Sequence, residues 1–161
     1  TQYFERARFE LHPGSQPSRF DVQLGRLGVE RTQGREQEDP FKPVQAASNE
    51  NCTFFPQTGH TLCHGFRGFW EEFGGLGVYG YPISEEFIEV NADTGEAYVV
   101  QYFERQRFEW HPGEWPERHD VLLGRLGAEI YEGADTASAN TRYLVHPSQW
   151  LKRIATMVGL Y

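Results

Sequence analysis

Residues 2–30 read QYFERARFELHPGSQPSRFDVQLGRLGVE, and residues 101–129 read QYFERQRFEWHPGEWPERHDVLLGRLGAE. The two stretches align without a gap at a constant offset of 99 residues, and 21 of the 29 aligned positions are identical. Composition alone does not produce such agreement, so the chain contains a duplicated unit. We call residues 2–30 the first copy and residues 101–129 the second copy.

The second copy is preceded by a half-unit that the first copy lacks. This half-unit begins at Cys52 and contains CHGFRGFWEEFGGLGVYGYPISEEFIEV. We therefore expect one complete unit over residues 52–129 and the C-terminal half of a first unit over residues 1–30, with contacts that extend beyond one unit. The other segments are expected to be two linkers, 31–51 and 130–141, and a separate final segment, 142–161.

Aromatic periodicity predicts a short amphipathic helix early in the complete unit. Its apolar stripe stands at positions i, i+3, i+4 and i+7 and consists of Phe66, Phe69, Trp70 and Phe73. The Gly-Gly pair after this stripe is typical of a helix end, because glycine adopts left-handed backbone angles without strain. A Gly/Pro loop follows, and Ser84 is expected to cap a brief second helix.

The remainder of the unit predicts a β-hairpin. Residues 97–103 are rich in β-branched and aromatic residues, which favours a strand, and residues 107–111 alternate polar and aromatic side chains, as in a return strand. Residues 121–127 predict a closing helical turn. The predicted fold class is α+β, a tandem repeat of a short amphipathic helix, a Gly/Pro loop and a β-hairpin, with one complete unit plus a half-unit.

Cys52 and Cys63 are the only two cysteines. A disulfide between them would close a short loop and stabilise the fold by up to about 3 kcal/mol in the chain-entropy model. The alternatives are a metal site, which needs two further ligands, and a reactive thiol, which needs a neighbouring base. We favour the disulfide, which indicates an oxidising compartment and an extracellular or cell-surface location.

Composition and motifs argue against several classes of function. The formal net charge of −8 opposes nucleic acid as a partner, and no apolar run approaches the roughly 18 residues of a membrane span. The motifs of zinc peptidases, serine hydrolases and nucleotide-binding enzymes are absent, and the six histidines show no ligand spacing. The pairs Glu71-Glu72 and Glu85-Glu86 are expected to be solvated rather than catalytic. We expect a non-enzymatic protein with no catalytic residue, metal or cofactor.

Two motifs of the complete unit resemble a known repeat. The stretch FWEEFGGLGVYGYPIS at 69–84, followed by QYFE at 101–104 and RFEW at 107–110, resembles the LGFP-type repeat of bacterial cell-envelope proteins. It is more similar to a version in secreted proteins in which "GYPISEEF" precedes "QYFERARFE". Gly-Tyr-Pro stands where Leu-Gly-Phe-Pro is usual. The resemblance covers residues 1–30 and 52–129 and implies tethering to cell-wall polysaccharide, often beside a catalytic domain.

The final segment carries a second resemblance. Residues 142–160 read RYLVHPSQWLKRIATMVGL and look like the first half of a lysin motif. The family usually has Pro-Gly-Asp-Thr-Leu where this chain has PSQWL at 147–151. The resemblance implies binding to polymers of N-acetylglucosamine, such as peptidoglycan and chitin.

Aromatic side chains are the candidate glycan contacts, because a flat ring can cover the apolar face of a pyranose. The candidates are Tyr79, Tyr81, Trp110, Trp115 and Trp150. The alternative for each is packing in a small core or a seam between units. For Trp115, which stands in an expected loop, the alternative is a ring folded onto a neighbouring proline.

The repeated charged residues have a structural interpretation. The Glu-Arg pair at 104–105 and Arg107 recur at 5–6 and at Arg8. Exposed Glu-Arg pairs across a turn are worth under about 1 kcal/mol. We expect these residues to be solvated parts of the scaffold.

Three functions remain open, and all are non-catalytic within this chain. The first is a cell-surface module that binds wall polysaccharide through an exposed aromatic groove. The second is an assembly subunit that docks onto another surface protein chain, with apolar surface around Tyr3, Phe4 and Phe9. The third is an accessory domain of a larger secreted hydrolase.

Overall fold

A three-stranded antiparallel sheet begins the chain in the computed structural model, which describes residues 1–14, 21–46, 49–91, 93–113 and 120–135. Alternation along the second strand places Phe9 and Leu11 on one face, and the register pairs them with Leu24 and Val22 on the third strand. One face of this first sheet is therefore apolar. The elements of the first copy, in sheet order, are β1 (Gln2–Tyr3), β2 (Arg8–Leu11) and β3 (Val22–Leu24), followed by helix α1 (Leu27–Arg31).

A disulfide-linked hairpin opens the half-unit that precedes the second copy. Strands β4 (Cys52–Phe55) and β5 (His60–Cys63) pair antiparallel, with Cys52 directly opposite Cys63. The two cysteines form the disulfide that the sequence predicts, with their Cα atoms 4.1 Å apart.

The predicted amphipathic helix is confirmed as α2 (His64–Glu72), with Phe66 and Phe69 buried. Gly74 has a φ of 118°, in the left-handed region, and ends the helix as expected. The loop that follows contains a further short helix, α3 (Gly75–Val78), which the sequence did not predict.

The helix expected at Ser84 is wrong. Ser84 is fully buried, and its hydroxyl accepts a hydrogen bond from the N–H of Tyr102 at 2.9 Å instead of capping a helix. The chain continues as strand β6 (Phe87–Val90), which pairs with the next strand.

A four-stranded antiparallel sheet forms around the second copy. The predicted strand and its return strand are confirmed. The helical turn expected at 121–127 is wrong for Val121–Leu123, which form a strand, and only Leu126 and Gly127 of that range are helical. Val121 and Leu123 are 4% and 7% exposed and alternate inward, opposite Trp110 and Phe108, so the period there is two. The elements are β6, β7 (Ala97–Tyr102), β8 (Arg107–Trp110) and β9 (Val121–Leu123), in sheet order, followed by α4 (Leu126–Asp135).

The two segments expected to be linkers contain ordered structure. A 3₁₀ turn at Asp39–Phe41 places Phe41 in the core, where it is 8% exposed, with the guanidinium of Arg35 lying 4.7 Å from its ring centre. Helix α4 also runs five residues past 130, into the second of these segments.

Two clusters of buried side chains form the core, and both contain aromatic rings. Phe108 is at the centre of the larger one, and its partners in ring contacts are Phe66, Phe69, Tyr79 and Phe103. The smaller cluster lies on the face of the second sheet that is turned away from Phe108, where helices α1 and α4 pack. It consists of Leu27, Phe41, Val100, Tyr102 and Leu126. The chain is thus α+β with several antiparallel sheets.

The two copies contact each other reciprocally through their main chains. The N–H of Ala128 donates to the carbonyl of Glu5 at 2.9 Å, and the N–H of Val29 donates to the carbonyl of Glu104 at 3.2 Å. Residues 29 and 128, and residues 5 and 104, are equivalent at the offset of 99. Each copy therefore gives the other the same contact that it receives, as in an isologous pair.

Arginine side chains repeat this reciprocity. Arg6 Nε donates to the carbonyl of Leu123 at 2.9 Å, while Arg105 Nε donates to the carbonyl of Leu24 at 3.3 Å. Each arginine belongs to one copy and each carbonyl to a strand of the other. The expected contacts beyond one unit are present.

Gly127→Ala is expected to lower the free energy of unfolding by about 3 kcal/mol or more, because the new Cβ would lie 1.9 Å from the carbonyl oxygen of Phe4. Gly68→Ala in α2, where no atom lies within 4 Å of the new Cβ, is expected to raise that free energy by about 0.5–1 kcal/mol. Denaturant unfolding of both variants measures the difference. Equal effects would contradict the close approach of the two copies.

Candidate functional site

A buried arginine organises the charged residues of the second copy. Arg107 is 4% exposed, and its Nη2 lies 2.6 Å from Glu109 Oε1 and 2.9 Å from Glu129 Oε1. Its Nη1 donates to the hydroxyl of Tyr102 at 3.2 Å. The expectation of solvated pairs is wrong here, because β8 turns Arg107 and Glu109 away from solvent and towards α4.

The pKa values in this network follow from its burial and charges. Burial lowers the pKa of Arg107, but the neighbouring Tyr102, Glu129 and Glu109 outweigh it and raise that pKa above its ordinary value. Burial also raises the pKa of Tyr102 to about 12. The carboxylates of Glu89, Glu109 and Glu129 are all ion-pair partners of Arg107.

The first copy contains the same network in a more exposed form. Arg8 Nη2 lies 2.6 Å from Glu10 Oε1, Arg8 also pairs with Glu30, and its Nη1 donates to the hydroxyl of Tyr3 at 3.2 Å. The side chain of Glu30 is 42% exposed, whereas that of its counterpart Glu129 is 18% exposed. The residues that recur therefore tie strand to helix in each copy, which is a scaffold role.

The three candidate glycan contacts that the structure describes, Tyr79, Tyr81 and Trp110, do not form an open groove. Tyr79 is 2% exposed, and its ring centre lies 4.7 Å from that of Phe108, so it is a core residue and cannot lie against a sugar in this arrangement. Trp110 is half-buried under α2, close enough to Gly65 that a Cβ there would lie 2.6 Å from its ring. Trp115 and Trp150 lie outside the described residues.

Tyr81 lies apart from the other candidates, in a cluster of three half-buried rings. The ring centre of Phe55 is 5.7 Å from that of Tyr81 and 5.6 Å from that of Trp70. Trp70 Nε1 donates to the carbonyl of Gly80 at 3.0 Å, which fixes the indole against the loop. We call Phe55, Trp70 and Tyr81 the ring cluster. Phe55 was not among the sequence candidates, since nothing local marks a residue on β4 as a neighbour of Tyr81.

Glu85 is bound within the fold and does not stand on a solvated helix face, as the sequence suggested. One carboxylate oxygen accepts hydrogen bonds from the N–H of Thr61 at 2.9 Å and from His60 Nδ1 at 3.1 Å, and the other accepts one from the hydroxyl of Thr61. Burial raises the pKa of Glu85, but these hydrogen bonds outweigh it and lower that pKa below its ordinary value. The carboxylate ties β5 to the segment before β6.

One apolar surface of the first copy is exposed where its counterpart is covered. Leu11 is 65% exposed and Val22 is 39% exposed. Their counterparts in the second copy are Trp110, half-buried beneath α2, and Val121, 4% exposed. Helix α2 makes the difference, because it lies on the second sheet. We call the surface formed by Phe9, Leu11, Val22 and Leu24 the open face.

The open face is close to the apolar surface expected for an assembly subunit, but it is displaced from it. That surface was expected around Tyr3, Phe4 and Phe9. Phe4 is 7% exposed and belongs to the core. The exposed apolar area lies instead along the cross-strand pair Leu11 and Val22.

Among the described residues, no group of three or more His, Cys, Asp or Glu side chains is placed to hold a metal ion. No helix in the described part of the chain is long and apolar enough to cross a membrane. The chain matches no family model, no curated protein and no solved structure. The resemblances to the LGFP-type repeat and to the lysin motif therefore stay predictions.

Arg107→Ala is expected to lower the free energy of unfolding by about 3–5 kcal/mol, because it leaves the buried carboxylate of Glu109 without its partner. Arg8→Ala removes the equivalent residue from a more exposed network and is expected to cost about 1–2 kcal/mol. Arg107→Lys keeps the charge without the planar fork and should fall between them. Urea unfolding measures all three, and equal costs for the two alanine variants would contradict the role of burial.

Glu85→Gln is expected to cost about 1–2 kcal/mol at neutral pH, since hydrogen bonds to a charged acceptor are weakened. Because the folded-state pKa of Glu85 is lowered from 4.5, its contribution is present above that pH and disappears as the pH falls through the folded-state value. The stability difference between wild type and variant should therefore shrink below about pH 4.5. Glu72→Gln, at an exposed carboxylate of α2, is the control. A difference that is constant with pH would contradict the assignment.

Proposed function

We propose that this chain is a non-catalytic, extracellular or cell-surface module of tandem-repeat type that docks another surface protein chain through its open face. The observation that carries the proposal is the exposure of Leu11 and Val22, at 65% and 39%, on a face whose counterpart is covered. Single exposed apolar side chains are ordinary. Here two of them are cross-strand partners beside half-buried Phe9 and Leu24, which makes one continuous apolar surface.

The chemistry of the described residues supports a binding role over a catalytic one. The carboxylates of the two arginine networks form ion pairs with Arg8 and Arg107. A small cavity at the seam between the copies is bounded by Leu24, Tyr79 and Arg105, among others, and no carboxylate lines it. A hydrolase of glycans needs two carboxylates facing one cleft, and this cavity offers none.

The disulfide supports the extracellular location in the proposal. Disulfides persist in oxidising compartments and are rare in the reducing cytosol. Cys52 and Cys63 face each other across a hairpin, so the link joins its two strands.

Cell-wall polysaccharide is the second candidate partner, and the ring cluster favours it. The ring of Phe55 makes edge contacts with those of Trp70 and Tyr81. All three rings are half-buried, so part of each is available to the apolar face of a sugar. The resemblance to the LGFP-type repeat implies the same ligand. Either partner is compatible with an accessory domain of a larger secreted hydrolase.

Binding to two preparations of bacterial envelope separates the candidates. One preparation is intact envelope from a bacterium that encodes the chain, and the other is its wall polysaccharide after protease and detergent treatment. We expect retention on the first, with a loss of at least about tenfold in Leu11→Glu/Val22→Glu. Ile88→Glu, at a site 72% exposed on β6, is the matched control and should bind as wild type does.

Two results would change the proposal. Equal retention on the purified polysaccharide, weakened by Tyr81→Ala and unaffected by the change at Leu11 and Val22, would replace the protein partner with the glycan. Retention on neither preparation would overturn both candidates.

A further inference from the structure

The disulfide joins two cysteines that stand directly opposite each other on adjacent strands. The register of β4 and β5 pairs Cys52 with Cys63. In antiparallel strands the Cβ atoms of opposite residues are about 4.5–5.5 Å apart, whereas a disulfide holds them at about 3.8 Å. The link therefore draws the strands together, and the Cα atoms lie 4.1 Å apart, below the usual range of about 4.4–6.8 Å. A departure of this kind makes a disulfide easier to reduce.

The strand that carries Cys63 continues directly into helix α2. Strand β5 ends at Cys63 and α2 begins at His64, so no residue separates them. The N–H of His64 still donates to the carbonyl of Asn51 at 3.0 Å, and the chain turns within His64, whose φ is 45°. Among the described residues, His64 is the only non-glycine with a positive φ. Backbone strain is thus located one residue from the link.

The position of Cys63 determines where α2 begins on the second sheet. Gly65, two residues after Cys63, is so close to Trp110 that a Cβ there would lie 2.6 Å from its ring. The next residue, Phe66, is buried, and its ring centre lies 5.9 Å from that of Phe108. The link therefore fixes the first turn of the helix that covers the apolar face of the second sheet.

The two sulfur atoms differ in their surroundings. Cys63 is the N-cap residue of α2, with an extended backbone (φ −126°, ψ 162°), and the first turn of that helix contains no acidic residue. Free N–H groups and the helix dipole stabilise a thiolate at such a position. Cys52 lies on a strand, where the net dipole is small. The sulfur of Cys63 is therefore the better leaving group when the link is broken.

The hairpin is anchored by contacts other than the link. Leu62 is fully buried in the larger core cluster, and His60 Nδ1 donates to the carboxylate of Glu85 at 3.1 Å. Both cysteines are half-buried, and their neighbours Thr53 and His64 are exposed. Reduction therefore leaves the two strands in place, and its effect falls on the start of α2.

We propose that the Cys52–Cys63 link is a site of thiol–disulfide exchange in the folded protein, and that its reduction loosens the first turn of α2 over Trp110. The co-reactant is a dithiol. One of its thiolates attacks Sγ of Cys52, the S–S bond breaks, and the electron pair of that bond leaves with Cys63 as a thiolate. The second thiol of the co-reactant then displaces Cys52, so the dithiol is oxidised to its own disulfide and both cysteines end as thiols. This exchange is independent of docking at the open face.

Reduction of the full chain by dithiothreitol without denaturant tests the exchange, with thiol alkylation and mass spectrometry as the readout. The rate should be the same in wild type and in Arg107→Ala, and it should stay constant in urea below the unfolding transition. If the link were reached only through global unfolding, the lower stability of Arg107→Ala would speed reduction by about 100-fold or more. Such an acceleration, or a link that resists reduction until the chain is denatured, would overturn the proposal.

Glutathione, a monothiol, identifies the sulfur that is attacked, because its mixed disulfide with the protein stays in place until the sample is quenched with acid. We expect the adduct on Cys52 at least about tenfold more often than on Cys63. Equal amounts of the two adducts would contradict the assignment of Cys63 as the leaving group.

Amide hydrogen exchange measures the consequence for α2. In the reduced chain, exchange at the N–H groups of Gly68 and Phe69 should be at least about tenfold faster, because their acceptors in an α-helix are carbonyls of the first turn. The N–H groups that join β7 to β8 should not change. Cys52→Ser/Cys63→Ser should match the reduced chain, since it lacks the link without any reagent. Reduction without faster exchange in α2 would overturn the proposal and leave docking at the open face unaffected.

Discussion

The contact on which the rest of the structure depends is the reciprocal approach of each copy's helix to the other copy's turn. Gly127 lies against the carbonyl of Phe4, and Gly28 lies against that of Phe103, so closely that neither position has room for a Cβ. Because every such contact occurs twice, the same substitution made in both copies would disturb two sites in one molecule. The residues that make these contacts belong to the motifs QYFER and GRLG, which are identical in the two copies.

Two positions at which the copies differ are also positions at which their neighbouring residues differ. Leu11 and Trp110 are equivalent, and only Trp110 lies beneath α2. Ala7 and Gln106 are also equivalent, and Gln106 Nε2 donates to the carbonyl of Arg6 across the seam, at 2.5 Å. The two copies thus have the same order of strands and helix, and their side chains differ at positions where the neighbouring segments differ.

Much of the local structure follows from the sequence, whereas the packing of one element against a distant one does not. The aromatic stripe predicted α2, and the cysteine pair predicted the link across the first hairpin of the half-unit. The sequence predicts a helical turn at residues 121–127, but Val121–Leu123 form a strand. Three residues are too few to separate a hydrophobic period of two from one of 3.6. Arg107 was expected in solvent since its burial depends on α4, and no local pattern at Arg107 shows where a later helix packs. Tyr79 was a glycan candidate because sequence does not separate a core ring from an exposed one.

The two copies are equivalent in sequence but not in solvent exposure, because the apolar face of one is covered and that of the other is exposed. The second copy is covered by helix α2, which precedes it in the sequence, whereas no described helix lies on the open face of the first copy. The difference in exposure therefore comes from the packing partner and not from the repeated sequence, since the two copies agree at 21 of 29 positions.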